Sequence, residues 1–137
     1  MNETAASARV PDALVDLVTT DVLGHVVTLR PDGALAPAIV WVDHDGEHVL
    51  FNSPVGSRKG RNVRANPQVA VSVVDHRNPF RYLAIRGRVT SIRPDDGLEH
   101  IDRMSQRYTG RPYGWRGRPR EIFEVTIDHV SASEGRR

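Results

Sequence analysis

Eighteen of the nineteen cationic residues in this 137-residue chain are arginine, and the single lysine, Lys59, sits in Ser57-Arg58-Lys59-Gly60-Arg61-Asn62 directly after a strand-like run. The two cations are not interchangeable. Arginine presents a rigid planar fork, whereas lysine meets a phosphate as a compact point charge on a flexible stem. If Ser57 opens a helix, the free amides of the first turn and the positive end of its dipole favour an anion at that place. A hydroxyl and the cations of Arg58 and Lys59 would then complete a phosphate cradle. The same residues fit a capped surface helix whose basic side chains are only solvated, and spacing alone does not choose between the two. No G-x-x-x-x-G-K-[ST] occurs, so the segment is not a nucleotide-binding P-loop.

A second cationic run extends from Arg103 to Arg120, with six arginines, no acid, and Tyr108, Tyr113 and Trp115 among them. Anionic partners are favoured at both places. Within this run Arg116-Gly117-Arg118-Pro119-Arg120 resembles the core of an AT-hook, a flexible arginine segment that enters the minor groove. It occurs once and runs into a predicted strand, so nucleic-acid binding ranks as the lesser alternative. His44 and His48 have the i, i+4 spacing of zinc ligands but straddle a turn, where that spacing gives no common face. Asp43-His44-Asp45-Gly46 lacks the later ligand positions of a calcium loop, and the other histidines are scattered, so no metal is predicted. Asp95, Asp96 and Glu99 suit a helix N-terminus. Tyr82, Tyr108 and Tyr113 have hydroxyls able to donate a proton, yet a packed ring with a satisfied hydroxyl is the commoner role. No catalytic residue is assigned.

Hydrophobic residues at 39%, charged residues at 26% and a net charge of +2 lie in the ordinary globular range. The length predicts one domain, over 11–131, between tails at 1–10 and 132–137. With no cysteine there is no disulfide and no thiolate chemistry. The first residues lack the basic flank and apolar run of a signal peptide, and no stretch is long enough to span a bilayer, so a cytoplasmic protein is expected.

The elements that must position these residues follow from periodicity. Leu14, Val15, Leu17 and Val18 predict a short amphipathic helix at about 11–20. Residues 23–30, 34–42 and 47–53 read as three strands joined at Pro31-Asp32-Gly33 and Asp43-His44-Asp45-Gly46, an antiparallel meander. A helix then runs from about Ser57 to Asn66-Pro67. Residues 69–75 and 82–92 are two further strands, Pro94 and Asp95 open a third helix, and Thr109 to Arg120 is a loop. Phe123, Val125 and Ile127 alternate as a closing strand. Six strands and three short helices predict a mainly β protein, a small barrel with flanking helices.

Ala34 to Trp41, then Val49-Leu50-Phe51-Asn52-Ser53, then Ser57 through Val73, together resemble the pyridoxamine-phosphate-oxidase-like split β-barrels, and within them the deazaflavin (coenzyme F420) dependent oxidoreductases. The likeness continues through Ile85-Arg86-Gly87-Arg88-Val89 and Arg107 to Tyr113, nearly the whole chain. It implies a six-stranded antiparallel split barrel of the FMN-binding type. It further implies a ring bound along Ala38, Ile39, Val40 and Trp41, a ribityl chain near Asn52 and Ser53, and a phosphate at Ser57, Arg58 and Lys59 with Asn62 behind them. Family members are homodimers with sites at the interface, which implies that Tyr82 reaches the ring bound by the other chain. Arg111, Tyr113 and Trp115 would border the substrate. The implied function is hydride transfer from reduced F420 to a small conjugated molecule. FMN as the cofactor, or flavin binding without turnover, are the alternatives. The arginine-rich C-terminal segment of the founding oxidase has no counterpart after Val125-Thr126-Ile127-Asp128-His129-Val130, which argues against vitamin B6 oxidation.

Overall fold

The computed structural model describes residues 3–4 and 9–135. Its strands are β1 (Glu3–Thr4), β2 (Leu23–Leu29), β3 (Leu35–His44), β4 (Val49–Pro54), β5 (Gln68–Asp75), β6 (Asn78–Pro94) and β7 (Arg120–Glu134). They lie in the order β1-β7-β4-β3-β2-β5-β6, and β6 also pairs with β7. That last pairing closes six antiparallel strands into a barrel, with β1 added at β7. The mainly β split barrel expected from the sequence is therefore the observed architecture.

Strand alternation fills the barrel: Val26, Val42, Val71, Leu83, Phe123 and Val125 point inward and are buried. Phe51 and Phe123 stack in the centre with ring centroids 4.9 Å apart. The helix α1 (Arg58–Ala65) buries Gly60, Asn62 and Val63. A Cβ at Gly60 would meet the Phe123 ring at 3.3 Å, so glycine lets α1 lie close to the core. The long strand β6 bulges at Arg86/Gly87. There a Cβ on Gly87 would sit 2.3 Å from the Thr126 carbonyl oxygen.

Several boundaries differ from expectation. The first helix is a 3-10 turn over Asp12–Val18 preceded by Pro11, and its Leu14, Leu17 and Val18 are buried. Thr19 and Thr20 donate their hydroxyls back to the carbonyls of Val15 and Asp16, which ends it early. β3 runs on to His44, so the turn begins at Asp45, whose carboxylate accepts from the amides of Glu47 and His48. β6 starts four residues before Tyr82, at Asn78. β7 reaches Glu134: Ala132, Ser133 and Glu134 pair with Leu83, Tyr82 and Arg81, and so belong to the barrel although a tail was expected from 132. Glu3 and Thr4 pair with Ser133 and Ala132, while residues 1–2, 5–8 and 136–137 of the expected tails lie outside the described residues. Among the described residues no helix is long and apolar enough to cross a membrane.

The helix α2 (Glu99–Thr109) packs on the outside of β3. Asp95 caps it, its carboxylate accepting from the amides of His100 at 2.8 Å and Ile101 at 2.9 Å. The entry to α2 is tight. Leu98 takes φ 57°, in the left-handed region that favours glycine, directly after Gly97 at φ 65°.

Candidate functional site

β3 and β4 are paired only over Val42–His44 and Val49–Phe51. Beyond Val42 the two strands part, and the outer face of Ile39 and Trp41 looks across the split toward Asn52. A cavity of about 300 Å³ occupies the split. Leu23, Ile39, Val40 and Trp41 form one wall, and Ile101 and Met104 of α2 form another. Lys59, Asn52, Tyr113 and Arg120 supply the polar side.

Each polar group is placed by its element. Ser57 caps α1, its hydroxyl accepting from the Gly60 amide at 3.1 Å, so Lys59 stands in the first turn and projects into the cavity. Burial, with the Arg120 charge added to it, lowers the Lys59 pKa from its ordinary value. Among the described residues its ammonium has no hydrogen-bond or ion-pair partner. Arg120, the first residue of β7, has its own pKa lowered by burial. It donates from Nε to Asn52 Oδ1 at 2.7 Å and from a terminal nitrogen to the Tyr113 hydroxyl at 3.1 Å, and its guanidinium lies 5.0 Å from the Tyr113 ring centroid. Two half-buried cations thus converge on one cavity, neither of them in an ion pair among the described residues, with Asp95 acting on Arg120 at longer range. That arrangement of charge suits an anion.

Beneath it runs a buried polar network. Asn52 Nδ2 donates to Asp95 at 3.0 Å and to His100 Nδ1 at 2.9 Å. His100 Nε2 lies 3.1 Å from Asp43, which Arg107 and Arg103 also reach at 2.8 and 3.2 Å. Burial would raise the Asp43 carboxyl, but hydrogen bonds from His100 and Arg107 outweigh it and hold the pKa well below the usual carboxylate range.

The structure brings together Ile39, Val40, Trp41, Asn52, Lys59 and Tyr113 of the residues singled out in the sequence. Ala38 is not among the cavity residues, because strand alternation turns its side chain inward against the core. Ser53 faces away from Asn52 for the same reason, and its hydroxyl is fully buried without a partner. Asn62 donates to the Thr28 hydroxyl inside the barrel at 3.0 Å and so ties α1 to β2. Arg58 is exposed at the head of α1. Tyr82 lies on β6 and does not line this cavity of its own chain. Arg111 and Trp115 are exposed on the loop before β7, outside the cavity, with Arg118 over the Trp115 ring at 5.7 Å. Tyr108 is a structural residue. Its hydroxyl donates to the Val22 carbonyl at 2.6 Å and accepts from the Val42 amide at 3.0 Å, while its ring stacks on Trp41 at 5.2 Å.

The AT-hook-like segment is not a free arm. Arg116 is paired with Asp102, Arg118 donates to the Val55 carbonyl, and Arg120 belongs to the cavity. Asp45, His48 and Glu124 come within ligand distance of one another at the β3–β4 turn, but Glu124 is already paired with Arg93. Sequence reasoning missed Arg120 as a cavity residue, and with it Leu23, Ile101, Met104 and the Asp43–His100–Asp95 network.

Comparison with known proteins gives four further observations. The family described as Pyridoxamine 5'-phosphate oxidase matches residues 10–134. A curated pyridoxine/pyridoxamine 5'-phosphate oxidase of Erythrobacter litoralis is 29% identical over 114 residues, covering 81% of this chain and 53% of that relative, so the chain spans about half the relative's length. A solved structure described as an F420 reductase superposes with a TM-score of 0.81 at 35% identity, covering 88% of this chain and 98% of that one. A conserved hypothetical protein of Mycobacterium tuberculosis shares the fold with a TM-score of 0.72 at 21% identity, covering 91% of this chain and 86% of that one.

Proposed function

The chain belongs to the pyridoxamine 5'-phosphate oxidase family, and on that premise we propose that it is an oxidoreductase using reduced coenzyme F420 to reduce a small conjugated organic molecule. One observation carries the reading: an aromatic and apolar wall faces two half-buried cations, neither in an ion pair among the described residues, across the β3–β4 split. A planar ring bearing a phosphate on a short chain has that distribution of chemistry. Trp41, backed by Tyr108, with Leu23 and Ile39, would hold the ring, and Lys59 with the α1 amides would hold the phosphate. The likeness to an F420 reductase favours the deazaflavin over FMN, the alternative cofactor. Once bound, such a cofactor supplies hydride, and the protein supplies orientation and exclusion of water.

Of the tyrosines, Tyr113 is the one suited to proton donation. Arginine only donates, so the Tyr113 oxygen accepts from Arg120 and keeps its own O–H to direct into the cavity. Arg111 and Trp115 on the neighbouring loop would border an anionic aromatic substrate. The outer sheet face supports a homodimer. Leu35 at 71%, Ile39 at 60% and Leu23 at 50% exposure lie on one face of β2 and β3, and a second copy covering them would bring another chain to the rim of the cavity, where Tyr82 is expected to act. The setting we propose is the cytoplasm.

The test is direct. The purified protein is titrated with F420, FMN and DNA in parallel, then supplied with reduced F420 deuterated at its reactive carbon and a panel of quinones, enones and tetrapyrroles. We expect F420 binding and deuterium in the product. Failure of both reduced F420 and reduced FMN to transfer hydride would reduce the protein to a binding role, and tight DNA binding without cofactor binding would overturn the reading altogether.

A further inference from the structure

Resting on that reading, we infer that Asn52, His100 and Asp43 form a positioning relay that holds Arg120 toward the cavity as the second arm, with Lys59, of a clamp for the cofactor's phosphate. The argument follows the hydrogens. Arg120 can only donate, so its bond to Asn52 turns Oδ1 of that amide toward β7 and Nδ2 toward α2. Nδ2 then donates to His100 Nδ1, which must carry a lone pair. The ring proton is therefore on Nε2, and it is donated to Asp43. Asp43 is itself fixed by Arg107 and Arg103, and Asp95 is fixed by the two amides at the head of α2.

Every member has one orientation that satisfies its neighbours. Asp43, Asp95 and His100 are buried, where an unsatisfied donor or acceptor is costly, so the network holds that orientation. Both amide hydrogens of Asn52 are engaged in the relay, so toward a ribityl chain it offers only the second lone pair of Oδ1. What remains for the bound anion is the side of the Arg120 guanidinium that the relay and Tyr113 leave toward Lys59. These are positioning residues, since they act through Arg120.

The experiment compares cofactors with and without phosphate: FMN against riboflavin, and F420 against its phosphate-free ribityl deazaflavin. The variants are His100→Leu, which keeps volume but no polar atom, His100→Gln, which keeps an acceptor and a donor, and Asn52→Ala. The wild type should prefer the phosphate-bearing member of a pair. His100→Leu and Asn52→Ala should each lose about tenfold of that preference, read as the ratio of the two affinities, the lower end for a hydrogen bond to a charged group. His100→Gln should retain most of it. Asn52 is half-buried on the cavity wall, where water can replace it, so Asn52→Ala reports even if His100→Leu does not fold. A wild-type preference in every variant, an equal loss in His100→Gln and His100→Leu, or a parallel loss for both members of a pair would each overturn the relay. Wild-type protein that binds no phosphate-bearing cofactor would overturn the oxidoreductase reading itself.

Discussion

Replacing Lys59 with methionine should move two measurements in opposite directions. Met keeps most of the apolar stem and removes the charge. In the cofactor-free protein the Lys59 ammonium is half-buried, unpaired and near Arg120, and its lowered pKa records that its charged form is disfavoured there. The methionine variant should then unfold at an equal or higher temperature, and its stability should lose a pH dependence. With the folded pKa below the ordinary lysine value of 10.5, the unfolded chain binds more protons in the window between the folded pKa and that value. Wild-type stability therefore rises with pH through that window, and the variant's should not. Binding should change the other way. A hydrogen bond to a charged group contributes roughly 1.5–3 kcal/mol, and about 2 kcal/mol for this half-buried amine is a loss of about thirtyfold in Kd. Arg58, exposed beside it, provides the contrast: Arg58→Ala should cost under about 0.5 kcal/mol. Fluorescence titration with F420 and FMN at two ionic strengths measures the affinities, and scanning fluorimetry the stability. An Arg58→Ala loss as large as that of Lys59→Met, or a Lys59→Met variant that binds normally and melts lower, refutes the argument that this cavity is an anion site strained by its own cations.

Three other substitutions test the scaffold. Asp43→Asn should destabilise the protein by about 3 kcal/mol at neutral pH, because Arg107 and His100 lose a buried charged partner. Since the folded Asp43 pKa lies below its ordinary value, its contribution is present above the ordinary carboxylate range and lost only as pH falls through the folded pKa, so the variant's acid limb should be flatter in a urea-midpoint series from pH 7 to pH 2. Gly87→Ala should cost about 1–3 kcal/mol or more in chemical denaturation, because its Cβ would meet a backbone oxygen that cannot rotate away. Leu35→Lys, 71% exposed and outside the cavity, should shift a dimer toward monomer in sedimentation equilibrium while leaving the melting of a monomer unaffected; an unchanged mass would place the second copy elsewhere.

What the sequence made legible was local. Ser57 and Gly60 are three apart, so the cap and the projection of Lys59 follow from one turn of helix. The meander follows from short turns, as at Asp32, whose carboxylate accepts from the Ala34 amide at 3.0 Å. A period of two also explains why Ile39 and Trp41 share the outer face of β3 while Ala38 packs against the core, although Val40 still reaches the cavity. The partners of Arg120 were not legible. Its bond to Asn52 spans 68 residues, and those of His100 to Asn52 and Asp43 span 48 and 57. No periodicity in Glu99 to Thr109 marks His100 as the residue that faces them.

The same limit governs the arginines. Counted along the chain, Arg103 to Arg120 is the strongest positive run and draws the expectation of an anionic partner. Folded, Arg103 and Arg107 serve Asp43, Arg116 serves Asp102, and Arg118 lies over Trp115 and donates to a carbonyl. Ion pairing thus answers three of the six arginines in that run. The two cations that converge on the cavity are the lysine, which the composition had set apart, and Arg120, whose hydrogen-bond acceptors, Asn52 and Tyr113, are neutral. Charge density in sequence therefore marks where a helix and loop are tied to the barrel, and the proposed anion site is where burial leaves Lys59 with no ion-pair partner among the described residues. Restoring an opposite charge there, by Tyr113→Glu, should raise the melting temperature of the cofactor-free protein and abolish binding of the phosphate-bearing cofactor, a pair of outcomes that a purely structural Arg120 would not produce together.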